Sequence, residues 1–183
     1  NAIKDKDNLV DMLDRQIRLY LTRLSSSTLT EVHSRRAVAL LEASRDLESI
    51  GDIIDRNIMP LAAKRIAKGL MFSEEGMNEL IGFHKKLVEN FDMAISAFTG
   101  NDRDLGRRVI RNKEELEELE RELTQTHLER LRKRLRESME TSHIHLDTIG
   151  NYARINSLVT HIVYPIFEDV RSRGREESFV VGG

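Results

Sequence analysis

Two prolines in the whole chain, Pro60 and Pro165, are the feature that most restricts what this sequence can become. Proline and glycine interrupt regular backbone most strongly, and here such breakers gather at a few points. Between those points the apolar residues step by three and four. Val10, Leu13, Ile17, Tyr20 and Leu24 keep that step, as do Met77, Leu80, His84, Leu87, Phe91, Ala94 and Phe98. Leu105, Val109, Leu116, Leu119 and Leu123 begin a third stripe. This spacing puts the side chains on one face of an α-helix, and no stretch alternates as a strand does. The fold class is therefore all-α, an elongated antiparallel bundle of about five long helices.

The spacing predicts helices over 3–24, 29–68, 73–99, 102–134 and 137–170. Ser25–Thr28, Lys68-Gly69 and Thr99–Asp102 separate them, and Ser73 and Asp102 serve as N-caps. Pro60 is expected to kink the second helix, and Pro165 to kink or end the fifth. Residues 172–183 read as a flexible tail.

At 183 residues and 39% apolar content the chain can bury a real core as one compact unit. Charged residues make up 33% and nearly cancel, leaving a net charge of −2. A dedicated nucleic-acid binder would show a basic excess, so that class is set aside. There is no cysteine, hence no disulfide framework, thiolate metal site or thiol nucleophile. No apolar run reaches the roughly 18 residues that span a bilayer. The chain is expected to be soluble as given, and its start at Asn1 reads as excision from a longer parent.

An internal repeat organises the chain. Leu47-Glu-Ser-Ile-Gly-Asp-Ile-Ile-Asp-Arg-Asn57 returns 99 residues later as Leu146-Asp-Thr-Ile-Gly-Asn-Tyr-Ala-Arg-Ile-Asn156. The preceding helices match loosely at an offset of 107, with Ile3, Lys6, Leu9 and Met12 over Ile110, Lys113, Leu116 and Leu119. Two related halves are expected about a pseudo-twofold axis: residues 1–100 with the linking helix, and residues 101–171. Gly51 and Gly150 fall at equivalent points inside long helices. A mid-helix glycine costs about 1 kcal/mol relative to alanine, so both predict close helix–helix approach.

Glu48 and Asp52 stand at i and i+4, so their carboxylates leave one helical face, with Asp55 broadly on it. Such a pair is most often a solvated acidic face. The alternative is a hard-cation site, where oxygen-only donors suit Mg²⁺, Mn²⁺, Ca²⁺ or iron more than zinc. Glu140-x-x-His143 has the spacing of a di-iron motif, but such sites need it twice and one copy is present. His84 reads as a satisfied core histidine. The acidic run Lys113–Glu122 and the basic run Arg130–Arg136 read as solvated faces that suit the helix dipole. No phosphate-binding glycine loop or hydrolytic triad is present.

The stretch Asp46-Leu-Glu-Ser-Ile-Gly-Asp-Ile-Ile-Asp-Arg-Asn-Ile58 resembles the helix motif of the PhoU family, Glu/Asp-x-x-x-Asp. Leu19–Leu24, Ser34–Ala37, Phe72–Gly76, Glu140–Ser142, Ile144–Asp147 and Arg154–Ser157 are similar to the PhoU-like domain of bacterial sodium/phosphate cotransporters. The resemblance covers roughly residues 5–170. It implies paired three-helix units, no catalysis and a regulatory role in phosphate uptake, at the cytoplasmic face of the bacterial inner membrane. The implied partner is a membrane-embedded transporter portion of the same or a partner chain, with homo-oligomers expected and no nucleic acid. The family's carboxylates hold metal ions, here taken as magnesium, manganese, iron or zinc. By position these ligands are Glu48 and Asp52 in the first half, to which the shared helical face adds Asp55, and Asp147 and Asn151 in the second, where an amide replaces the usual acid. Five helices against the family's six suggest that one helix comes from a partner or from upstream chain. Rival readings are a free-standing PhoU-like regulator of an ABC importer and sensor kinase, a di-iron enzyme, and a plain scaffold.

Overall fold

A computed structural model describes residues 2–25, 29–133 and 136–168. The residues 172–183 expected as a tail lie outside them, as does most of the Ser25–Thr28 connection. All regular elements among the described residues are helical: α1 (Ala2–Ser25), α2 (Glu31–Asp52), a π-helical segment (Ile53–Ile58), α3 (Met59–Ala67), α4 (Glu74–Gly100), α5 (Arg103–Arg132) and α6 (Arg136–His161).

α2, the π segment and α3 run on as the single second rod that the spacing predicts. Pro60 offers no N–H to the carbonyl four residues back and crowds it. The rod meets this with the wider π turn just before the proline, where Met59 N–H reaches the Ile54 carbonyl. Pro165 ends α6: the backbone passes through a turn at 162–164 and one helical turn follows at 165–168. The caps form as the sequence requires. Ser73 accepts from Gly76 N–H at 3.2 Å, and Asp102 accepts from Asp104 and Leu105 N–H at 2.9 and 3.0 Å. Gly69 (φ 63°) and Asn101 (φ 49°) take the left-handed conformations that close their helices.

α4, α5 and α6 pack pairwise as a three-helix bundle, and the second rod docks on α6. Leu80, Phe83, Leu116, Leu123 and Ile149 fill one level of that bundle. Ile50 and Ile53 join Leu87, Val109, Ile155 and Val159 in the core shared by the two halves. Asn112 donates to Asn90 (3.1 Å) and Asn90 donates to buried Asn156 (3.0 Å), tying α5, α4 and α6 at one height. A polar relay of this kind fixes the register that apolar packing alone leaves loose.

The first half is built differently. Among the described residues α1 packs mainly on α2, with a smaller contact to the π segment. The stripe Val10–Leu24, expected to face inward, faces largely outward: Leu13, Ile17 and Tyr20 are exposed, and Val10 and Leu24 are half-buried. Leu9, Met12 and Leu19 are also about half exposed. The side of α1 that meets α2 carries Asp7, Asp14 and Leu21, all buried. Among the described residues, nothing stands beside α1 and α2 where α4 stands beside α5 and α6.

A candidate metal centre between the first two helices

Gly51 sets the approach of α1 to α2. A Cβ built there would lie 3.0 Å from Asp7 Oδ1, so the carboxylate rests directly over the glycine backbone. Asp11 lies one turn further along α1, and Asp52 follows Gly51 on α2. One oxygen from each of Asp7, Asp11 and Asp52 falls within 4.8 Å of the others. Oδ1 of all three is buried and has no hydrogen-bond partner. A buried polar atom without a partner is costly, and a buried anion more so.

The neighbours divide into satisfied and unsatisfied acids. Asp14 accepts from Ser44 Oγ at 2.9 Å and pairs with Arg18, which completes it. Asp52 Oδ2 pairs with Arg56 at 2.8 Å, while its Oδ1 is buried without a partner. Burial raises the Asp7 carboxyl above the ordinary carboxylate range, and the charges of Asp11, Asp55 and Asp52 raise it further against Arg56. Burial likewise raises Glu48, helped by Asp52, Asp11 and Asp14. Three unpartnered carboxylate oxygens suit a hard divalent cation, whereas the set holds no nitrogen or sulfur donor of the kind zinc favours.

Glu48, Asp52 and Asp55 thus all belong to one acidic region, though only Asp52 sits inside the tightest group. Asp7 and Asp11 are its other members, and the spacing argument did not select them. Their signal was legible as Asp7, Asp11 and Asp14 at i, i+4 and i+7. The apolar stripe on the same helix outweighed it.

The second half does not reproduce the group. Asp147 is exposed, and Asn151 is buried as a structural amide. Asn151 accepts from Asn57 at 3.0 Å and donates to the Asp147 carbonyl at 2.7 Å. Glu114 and Glu118, the repeat equivalents of Asp7 and Asp11, are exposed on α5. Gly150 has no non-neighbouring atom within 4 Å of its Cβ position, so the close approach expected there is absent. With no acid leaning onto it from α5, the glycine meets only space.

The PhoU domain family matches residues 1–58 and 80–166. The chain belongs to the PhoU family. Two relatives carry the name "Putative inorganic phosphate export protein YjbB". The one from Escherichia coli (strain K12) is 34% identical over 169 residues, 92% of this chain and 31% of its own length. The one from Salmonella typhimurium is 35% identical over 167 residues, 91% of this chain and 31% of its own length. The chain therefore spans about a third of the relatives it matches. No solved structure matches it.

This PhoU domain holds a second set of buried ionisable groups, at the far end of the α4–α6 bundle. Arg130 grips Glu79 with two bonds of 2.6 Å. His145 lies 3.3 Å from Glu79 Oε2 and 3.2 Å from the Gly76 carbonyl, and stacks on His127 at 4.7 Å. Burial, then His145 and Arg130, push His127 down to about 4; burial also lowers His145. Both imidazoles are therefore neutral near pH 7, with His145 donating from Nε2 and its Nδ1 left without a partner. Sequence reasoning named the wrong core histidine. His84 is exposed and leans on Tyr152, because its place in the stripe falls at the edge of the buried face. His143 points outward and Glu140 pairs with Arg136 at 2.7 Å, so these two form no metal pair. In the charged runs, Glu114, Glu115, Glu117, Glu118, Arg132 and Lys133 are exposed as expected, whereas Arg130 is buried.

Proposed function

We propose that this chain is the regulatory domain of a sodium-dependent phosphate transporter, responding to a divalent cation held by Asp7, Asp11 and Asp52, with Glu48 and Asp55 supporting. The observation that carries this reading is the trio of buried, unpartnered carboxylate oxygens between α1 and α2. Family membership and the phosphate-export names of the relatives support a role in phosphate movement across a membrane. Those names favour export over the uptake that the resemblance implied. No described helix is long and apolar enough to cross a bilayer, so the translocating part belongs to another region or chain. The outward leucines of α1 offer the surface on which that part, at the cytoplasmic face, would complete the first bundle. The domain itself performs no chemistry in this reading.

A cation that binds the folded state alone adds about 2.7 kcal/mol of stability at a hundredfold excess over its Kd. Melting curves with Mg²⁺, Mn²⁺, Fe²⁺ and Zn²⁺ should therefore rise for Mg²⁺ or Mn²⁺ and rise least for Zn²⁺. The Asp7→Asn/Asp52→Asn variant should melt slightly higher than the parent without metal and show no metal response. Equal shifts in parent and variant would remove the metal site. Phosphate flux unchanged by the same substitutions in the full-length protein would remove the regulatory role.

A further inference from the structure

On the opposite side of Asp52 from α1, the second rod and α6 enclose a groove of about 520 Å³. Its character is basic: Arg56 from the π segment, Arg154 and His161 from α6, with Asn57 beside them. Among the described residues Arg154 has no ion-pair partner. His161 brings an imidazole to the same lining from α6. The acid lining the groove is Asp52, whose Oδ2 is already held by Arg56 at 2.8 Å. Two guanidinium-bearing residues and an imidazole lining one hollow match the acceptor-only oxygens of a phosphoryl group, while the Asn57 amide beside them is engaged by Asn151.

We infer that this groove between the two repeats binds a phosphoryl oxyanion, and that Asp52 couples it to the acidic trio. Asp52 contributes one carboxylate oxygen to the group with Asp7 and Asp11, its Oδ2 pairs with Arg56, and its buried Oδ1 has no hydrogen-bond partner. A cation drawn to Oδ1 takes up the charge that otherwise occupies Arg56, and frees that guanidinium for the anion. Metal and phosphoryl group then favour each other, and the coupling is reciprocal by linkage. The anion site stands on the groove alone; the coupling rests on the metal reading.

The experiment titrates the 183-residue chain with inorganic phosphate by calorimetry, first in chelator and then in Mg²⁺. Binding should appear in both. Arg154→Ala should weaken it about tenfold or more, as loss of a charge-assisted contact does. Mg²⁺ should tighten it about fivefold or more, and Asp52→Asn should erase that gain. A parallel arm replaces phosphate by phosphatidylglycerol vesicles, with phosphatidylcholine as control. Vesicle binding lost in Arg154→Ala, without binding of the free ion, makes the source a lipid headgroup and keeps the shared chemistry. Arg154 and Arg56 are exposed, so both variants should melt as the parent does. The site is overturned if neither probe binds, or if Arg56→Ala and Arg154→Ala leave binding unchanged. If phosphate and Mg²⁺ both bind but neither alters the other, the coupling is overturned and the anion site stands.

Discussion

α1 and α5 occupy matching places in the repeat and bury opposite faces. On α5, Leu116 and Leu123 are 3% and 7% exposed while Glu114 and Glu118 face solvent. On α1, Leu9 is 50% exposed while Asp7 is buried. The difference follows from the number of neighbours. α5 has α4 on one side and α6 on the other, so its leucines leave water and its acids need not. α1 has the second rod, mainly its α2 part, and meets it over Gly51 with a carboxylate. Buried charge is handled differently as a result. In the second half Glu79 finds Arg130 within the protein; in the first, Asp7, Asp11 and Asp52 leave oxygens unpartnered. One region satisfies its buried charge within the described chain, and the other leaves carboxylate oxygens without a partner among the described residues.

The largest effect should come from breaking the internal pair. Arg130→Met leaves Glu79 buried and uncompensated, at a cost of about 3–5 kcal/mol in urea denaturation. A cost no greater than that of an exposed arginine would erase the contrast between the halves. A sharper comparison uses one repeat position twice. Leu116→Ala should cost about 2–4 kcal/mol, whereas Leu9→Ala should stay within about 0.5 kcal/mol in the isolated chain. Equal costs would mean that α1 is covered in solution, and the oligomeric state should then be measured.

The smallest effect lies in pH. His127 titrates at about 4 when folded, below the ordinary histidine value of 6.5, so the unfolded chain binds the extra proton first. Its contribution is full above 6.5 and falls as the pH drops toward 4, by about 2 kcal/mol. His127→Gln should flatten that fall. Asp7 and Glu48 work in the opposite sense. Their raised carboxyls favour the folded state when protonated, and that contribution is lost as pH rises through their folded values. Melting temperatures from pH 4 to 7 in parent, His127→Gln and Asp7→Asn separate the two regions.

Much of the fold was legible because it is local. The caps at Ser73 and Asp102 and the stripes of α4 and α5 need only near neighbours, and the structure repeats them. Pro60 was read correctly as a disturbance of the second helix, and the π turn just before it is the form the disturbance takes, one of the known causes of helix kinks. The candidate site was half legible. Glu48, Asp52 and Asp55 share one helix, so spacing alone grouped them, whereas Asp7 and Asp11 join them only through the crossing at Gly51. His145 and His127 were missed for a related reason. They sit fifteen or more residues apart on different helices, and nothing local distinguishes a buried polar side chain from an exposed one.

By itself the sequence determined the helices and the capped starts at Ser73 and Asp102, since periodicity and capping act over a few residues. Only the tertiary structure decided which face of α1 turns inward, and so which carboxylates meet. That choice belongs to neighbours: a helix with one partner buries what that partner accepts, and α2 offers a glycine beneath an aspartate.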